Sequence, residues 1–300
     1  MIPVVDEVTL VNAAAANALF AYDAVVIQDA TPSGRIYPTV DAAIDAGAKS
    51  IFVAPGEYAG FTADEPSLLV VGGGASGYAA TGARFTSTVT ISALDVQLEN
   101  LAALNTASGS GFYLTGGTWP GLGARARLIN CHAYGCASHG VEDYTVDTLV
   151  LGGSYHNNAG AGYRCDRTLD VNARLIGAKF GYNGTYGIHL VGPSSAQGSR
   201  EVMIGNCYID NNVGHGVMIG GDMRLVSITG CVIMDHGGSA YGIYVHDDIR
   251  YKIGVSGCVF HNNKGGTAHI FDGRGYIRPL ITSTASFEAA GNTLESPATP

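Results

Sequence analysis

His215-Gly216-Val217-Met218-Ile219-Gly220 and Tyr241-Gly242-Ile243-Tyr244-Val245-His246 decide how this chain folds. In each, a glycine ends a polar turn and releases a short strand of alternating apolar residues. Earlier copies are Ser110-Gly111-Phe112-Tyr113-Leu114-Thr115, His139-Gly140-Val141-Glu142-Asp143-Tyr144, Ala161-Gly162-Tyr163-Arg164-Cys165-Asp166 and Tyr186-Gly187-Ile188-His189-Leu190-Val191. A later one is Thr267-Ala268-His269-Ile270-Phe271. The glycines at 111, 140, 162, 187, 216 and 242 are spaced by 29, 22, 25, 29 and 26 residues. Upstream of them run two further registers. One is an apolar residue followed three positions later by a polar one: Tyr155/Asn158, Phe180/Asn183, Ile209/Asn212, Ile233/His236 and Phe260/Asn263. The other is a strand at Arg127–Ile129, Leu149–Leu151, Arg174–Ile176, Val202–Ile204, Val226–Ile228 and Ile253–Val255. Three short strands per repeat, alternating with period two between glycine-rich turns, describe an all-β solenoid.

This repeat accounts for the composition. Of 300 residues 43 are glycine, against only 10 proline, and 14% are charged. Each coil needs corner residues with positive φ or very close backbone packing, and glycine supplies both. The asparagines are expected to stack from coil to coil with their amides bonded to one another. Cys131, Cys207, Cys231 and Cys258 follow Asn or Gly at equivalent positions and read as a column of small buried residues, not as a disulfide framework.

The segment Tyr37-Pro38-Thr39-Val40-Asp41-Ala42-Ala43-Ile44-Asp45-Ala46-Gly47, followed by Ile51-Phe52-Val53-Ala54-Pro55-Gly56-Glu57-Tyr58, predicts a short helix capped by Thr39 and stopped by Gly47, then a strand. Together with the repeat, it resembles the start of the pectate-lyase-like right-handed parallel β-helix superfamily. The resemblance spans roughly residues 35–295. It implies a single-stranded right-handed parallel β-helix whose helix caps the N-terminal end. It leaves the chemistry open, because lyases, hydrolases, epimerases and non-enzymatic phage tail proteins share this fold. Residues 1–34 stand outside the repeat, as a packing strand, a partner-binding arm or a junction. Residues 296–300 read as a tail.

The net charge of −9 disfavours nucleic acid as a partner, and no apolar run approaches the ~20 residues that span a bilayer. Met1–Glu7 lacks the basic stretch of a signal peptide, so the expectation is a protein folded with reduced thiols that acts outside the cell or on a virion.

In the strand after each glycine, the first and third residues should face inward: Phe112/Leu114, Val141/Asp143, Tyr163/Cys165, Ile188/Leu190, Val217/Ile219, Ile243/Val245 and Ala268/Ile270. Asp143 alone breaks that column, which marks a bulge or a buried carboxylate. The outward residues form two columns. One is Tyr113, Glu142, Arg164, His189, Met218, Tyr244 and His269; the other is Thr115, Tyr144, Asp166, Val191, Gly220, His246 and Phe271. Coils lie ~4.8 Å apart, so Glu142, Asp143, Tyr144, Arg164, Asp166, Arg167 and His189 share one patch with His139 at its edge. The alternative is a solvated face whose charges balance, Glu142 with Arg164 and Asp166 with Arg167. A second group, Tyr244, His246, Asp247, Asp248, His269 and Asp272, reads as a solvated rim, with a continuing subsite or a divalent-cation (Ca2+) site as alternatives.

Tyr, His, Arg and Asp on such a face suit an extended polysaccharide. For β-elimination or C5 epimerisation of a uronate, Arg164 or Arg167 would neutralise the carboxylate, His139 or His189 would act as base, and Tyr144 as acid or base. Mannuronan epimerases carry Tyr-Gly-Phe-Asp-Pro-His-Glu at an equivalent strand. His139-Gly140-Val141-Glu142-Asp143-Tyr144-Thr145 is similar if His139 and Tyr144 exchange roles and Glu142 replaces the aspartate; the proline is absent. Glycoside hydrolysis is the second reading, with Glu142 or Asp143 paired with Asp166. A non-catalytic phage tail or carbohydrate-binding β-helix is the third. Tyr113, Asp143, Arg167, Tyr244, His246 and His269 are the expected substrate contacts. No cofactor is required, Ca2+ is compatible, and the resemblance to phage β-helices leaves a homotrimer open.

Overall fold

Each repeat sends its three strands to three different sheets. The computed structural model describes residues 21–74, 82–104, 107–115, 125–166, 171–192, 200–221, 223, 225–246, 252–263, 269–273 and 294–295. Among them the first sheet holds eleven strands, the second nine and the third ten. Neighbouring strands are parallel throughout, one coil contributing one strand to each sheet. Asp147–Leu151, Ser154–His156 and Tyr163–Asp166 make one coil; Val171–Ile176, Lys179–Gly181 and Ile188–Val191 make the next. Their register is Leu149 to Arg174, Tyr155 to Phe180 and Arg164 to His189.

From Ile129 onward two corners of the coil are built alike. Between the first and second sheets a left-handed residue turns the chain: Asn130 (φ 49°), Gly152 (66°), Gly177 (65°), Asn206 (52°) and Gly230 (65°). Between the second and third sheets the left-handed residues are Gly135, Asn157, Tyr182, Asn211, Asp235 and Asn262. Asn, Asp and Gly tolerate that region, so their recurrence is a backbone requirement. The asparagines named above come one residue later and point inward. Asn158 Nδ2 donates to Asn183 Oδ1 (3.0 Å), and Asn183 Nδ2 to Asn212 Oδ1 (2.9 Å). The same oxygens accept the backbone N–H of the preceding coil, and the amide nitrogens also reach backbone carbonyls such as Tyr155 O. Each bond contributes about 1 kcal/mol net, and losing one partner costs more because the other stays buried. His236 takes the next place, its Nδ1 accepting from Asn212 N (3.3 Å).

The repeat glycines serve close approach. They do not have positive φ. A Cβ on Gly187 would lie 2.7 Å from Gly216 O and 2.8 Å from Asn212 Nδ2, so any side chain there would push the coils apart. The first-to-second corners run from Ile129 to His132, Leu151 to Ser154, Ile176 to Lys179 and Gly205 to Tyr208, with constant length. Connections from the third sheet to the first vary, from Tyr144–Asp147 to Val191–Arg200, and they set most of the spread in coil length.

Helix α1 (Val40–Asp45) begins at Thr39, whose hydroxyl accepts from Ala42 N (3.2 Å). Its Val40, Ala43 and Ile44 join Ile51 and Val53 in one continuous core that runs the length of the solenoid. The first sheet reaches back to Ala24–Val26, which pairs with Ser50–Val53, so part of segment 1–34 is a packed strand. Residues 1–20 and the tail 296–300 lie outside the described residues. Cys131, Cys207 and Cys231 are buried, Cys258 is half-buried, and all six cysteines are free thiols.

Candidate functional site

The alternation of the third sheet sends one residue of each strand pair outward. Register pairs Tyr113 with Glu142, Glu142 with Arg164, Arg164 with His189, His189 with Met218, Met218 with Tyr244, and Tyr244 with Phe271. The expected column therefore exists, except at its last member. The strand there is Ile270–Asp272, with Ile270 beneath Ile243. An isoleucine fills the core site better than an alanine, so the strand enters the sheet two residues later than the repeat reading placed it. His269 falls at the glycine position, is buried and bonds Asn263 through Nδ1 (3.2 Å). It is not a surface contact.

Glu142 organises the charged end of the face. Its Oε1 accepts from the Tyr144 hydroxyl (2.9 Å) and lies 3.7 Å from Arg164 Nη1; its Oε2 accepts from Ser110 Oγ (2.7 Å). The expected pairing of Glu142 with Arg164 is real, yet both groups remain partly open to solvent. The Tyr113 ring lies 5.7 Å from that of Tyr144. His139 Nδ1 accepts from Ala161 N (2.8 Å), and its Nε2 lies 3.5 Å from Arg164 Nη1. With the Nδ1 lone pair engaged, neutral His139 carries its proton on Nε2 and presents a donor to the face. That arrangement suits a hydrogen-bonding role better than the role of base.

Asp143 does not belong to this surface. It is fully buried, with no bulge in the strand, and faces the core between Leu114 and Cys165. Its carboxyl accepts from Tyr163 OH (2.5 Å), Thr145 N (2.8 Å) and Thr145 Oγ1 (2.7 Å). Burial pushes the Asp143 pKa up, and these hydrogen bonds pull against that. The alternation requires Asp143 to point inward, so it makes no substrate contact and cannot pair with Asp166 across a glycosidic bond. Asp166 takes its place in the sheet beside Val191. The Asp166 side chain, Arg167, Asp247, Asp248 and the Asp272 side chain lie outside the described residues. His246 is exposed at the end of its strand. Among the described residues, no group of three His, Cys, Asp or Glu side chains is arranged to hold a metal ion. No helix among them is long and apolar enough to cross a membrane.

Beyond Arg164 the face becomes aromatic. Tyr186 packs on His189 (4.7 Å between ring centroids) and stacks on His215 (5.8 Å). His215 stacks on Tyr244 (4.5 Å), and Tyr244 on Phe271 (4.8 Å), with Tyr241 against both. His215 Nδ1 accepts from Tyr241 N (2.9 Å), and burial holds its pKa down at about 4, so the ring is a neutral platform. The candidate residues Tyr244 and His189 belong to this run. Reading the strands alone misses Tyr186, His215 and Tyr241, which precede the repeat glycines. The signal that finds them is the turn column His139, Tyr186, His215, Tyr241, aromatic in four of its coils.

Residues 110–279, more than half of the chain, match the family described as the right handed beta helix region. The chain belongs to the right-handed β-helix family. Among solved structures, this β-helix is similar to the A-module of mannuronan C-5 epimerase AlgE4 from Azotobacter vinelandii. The two share 12% identity over 86% of this chain and 82% of that one, with a TM-score of 0.50. It is also similar to the enzymatically active domain of tailspike protein 2 from bacteriophage CBA120, with 13% identity over 79% of this chain, 44% of that chain and a TM-score of 0.48. At such identities the likeness is one of fold. No curated protein matches the β-helix in sequence.

Proposed function

We propose that the charged end of the third sheet acts on an extended uronate-containing polysaccharide by removing the C5 proton, as a lyase or a C5-epimerase. The observation that carries this reading is the position of Arg164, with Glu142, hydrogen-bonded to Tyr144, on one side and His189 on the other. Ionising C5 places negative charge on the C6 carboxylate, and a guanidinium opposite it stabilises that charge as it develops. His189 takes the C5 proton. In a lyase the C4–O4 bond then breaks, its electrons leave with O4, the C4=C5 double bond forms, and Tyr144 protonates O4. In an epimerase Tyr144 returns a proton to the opposite face of C5. Glu142 holds the phenol and the guanidinium in register, and His139 donates to a sugar oxygen. The aromatic run from Tyr186 to Phe271 stacks on successive sugar rings.

The experiment is product analysis after incubation with alginate, pectate and related polymers. Unsaturated uronates absorbing in the ultraviolet identify a lyase, and an altered uronate ratio without cleavage identifies an epimerase. New reducing ends without that absorbance would overturn proton abstraction in favour of hydrolysis by Glu142 with Asp166. With no reaction on any of the polymers, the face is a binding surface. A location outside the cell or on a virion follows from such a substrate. Chelation and sedimentation in the same preparations test a Ca2+ requirement and a homotrimer.

A further inference from the structure

The second sheet carries a depression of about 410 Å3 lined by Ser154, His156, Asn157, Lys179 and Tyr182. Nothing in the third-sheet mechanism uses it. Tyr182 has φ 56°, at a corner where the other left-handed residues are Gly135, Asn157, Asn211, Asp235 and Asn262. A bulky side chain is the least suited to that conformation, and such exceptions persist where the side chain has a task. The Tyr182 side chain is exposed (52%), and Lys179 Nζ lies 5.5 Å above its ring and 5.2 Å from that of Tyr208.

Beside them is an acceptor with an unused lone pair. Asp210 is 3% exposed; its Oδ2 accepts from Asn211 Nδ2 (3.0 Å) and lies 3.6 Å from Lys179 Nζ, while its Oδ1 has no partner. His156, Gly181 and Asp210 are register partners, and a Cβ on Gly181 would fall 2.2 Å from Asp210 Oδ1. The glycine thus gives the carboxylate its place. His132, in the column of Ser154 and Lys179, also leaves both covered ring nitrogens without partners. Burial holds the His156 pKa down at about 4, so Lys179 and Asp210 are the charges here, and they cancel. Buried polar atoms of this kind are normally satisfied; here they make the ground behind the depression polar without net charge, which suits a neutral ligand rich in hydroxyls.

We propose that this depression is a second carbohydrate site, which takes a neutral hexopyranose unit. Hydroxyls accept from Lys179, whose ammonium the Asp210 carboxylate holds beside the depression, and bond Ser154, while the apolar face of the sugar ring rests on Tyr182. The site is independent of the uronate chemistry. The test is calorimetric titration of the full chain carrying Arg164→Ala, which silences the third-sheet cation, with short neutral oligosaccharides of glucose, galactose and mannose and with oligouronates. Saturable binding of a neutral sugar is expected, weakened at least about tenfold by Tyr182→Asn and by Lys179→Met. Tyr182→Asn should keep or raise the melting temperature, because Asn suits the left-handed corner. Absence of neutral-sugar binding, binding untouched by both substitutions, or a preference for oligouronates would overturn the proposal. Loss of activity in Arg164→Ala with neutral-sugar binding intact would separate this site from the third-sheet reading.

Discussion

Along one column of the third sheet, Tyr113-Glu142-Arg164 carries an ion pair bridged to a phenol, whereas Met218-Tyr244-Phe271 carries a thioether and two stacked rings. Both ends rest on the same parallel strands in the same register, with one residue in two facing inward. The scaffold therefore sets where outward side chains stand and leaves their chemistry free. On the proposed function, the charged end moves protons and the aromatic end holds sugar rings. Beneath the first lies the buried acid Asp143; the second includes the neutral ring of His215, and behind it the neutral His236 is buried against Gly216.

The largest expected effect separates the two ends directly. Arg164→Ala should lower kcat/KM by about 10^3-fold while the melting temperature stays where it was. Retained turnover would place the reaction elsewhere. Asp143→Ala should cost about 3 kcal/mol of stability, read as a lower denaturant midpoint, because Tyr163 OH and Thr145 lose their buried acceptor. A neutral result there would mean that Asp143 is not part of the core framework. Tyr144→Phe should lower kcat by about 10^2-fold with KM little changed, which steady-state kinetics will show.

The pH response of stability should differ in sign between the two ends. His215 and His236 have pKa values depressed from 6.5 to about 4 and about 3, chiefly by burial. Their contribution is complete above 6.5 and is lost as pH falls from there toward the folded values, at about 1.4 kcal/mol per pH unit for each. Asp143, whose pKa is raised above 3.8, contributes in full below that value and loses its contribution as pH rises through its folded pKa. His236→Asn should flatten the acid limb of a thermal-denaturation series, since an asparagine fits the amide column. The smallest effect belongs to Tyr244→Ala, with KM raised about fivefold and kcat kept. A change in kcat alone would move Tyr244 into the chemistry.

The coil is legible in sequence because three independent constraints recur together: alternation, a left-handed corner and a glycine under the next coil. Any one alone, such as Gly187, is an ordinary residue; the column of them is not. The outward positions of Glu142, Arg164 and His189 follow from that alternation. The commitment of His139 Nδ1 to Ala161 does not, because it depends on a turn geometry one coil away. Asp143 reads inward, but its acceptor role needs Tyr163 and Thr145 brought to it by register. His269 shows the limit from the other side: without a glycine to mark it, the strand start is decided by which apolar residue fits beneath Ile243. The depression at Tyr182 is invisible to alternation, since what sets it apart is a bulky residue at a bend.

From Ile129 to Val259 the corner from the first sheet to the second keeps one length, while the return from the third sheet to the first does not. Such a chain can gain or lose a whole turn without disturbing its neighbours, if the cut is made between equivalent left-handed residues. One added turn between Arg164 and Tyr244 would slide the aromatic rings ~4.8 Å further from the guanidinium. On the proposed function, the distance between grip and chemistry is then a countable quantity, edited in unit steps to suit a longer or shorter polymer.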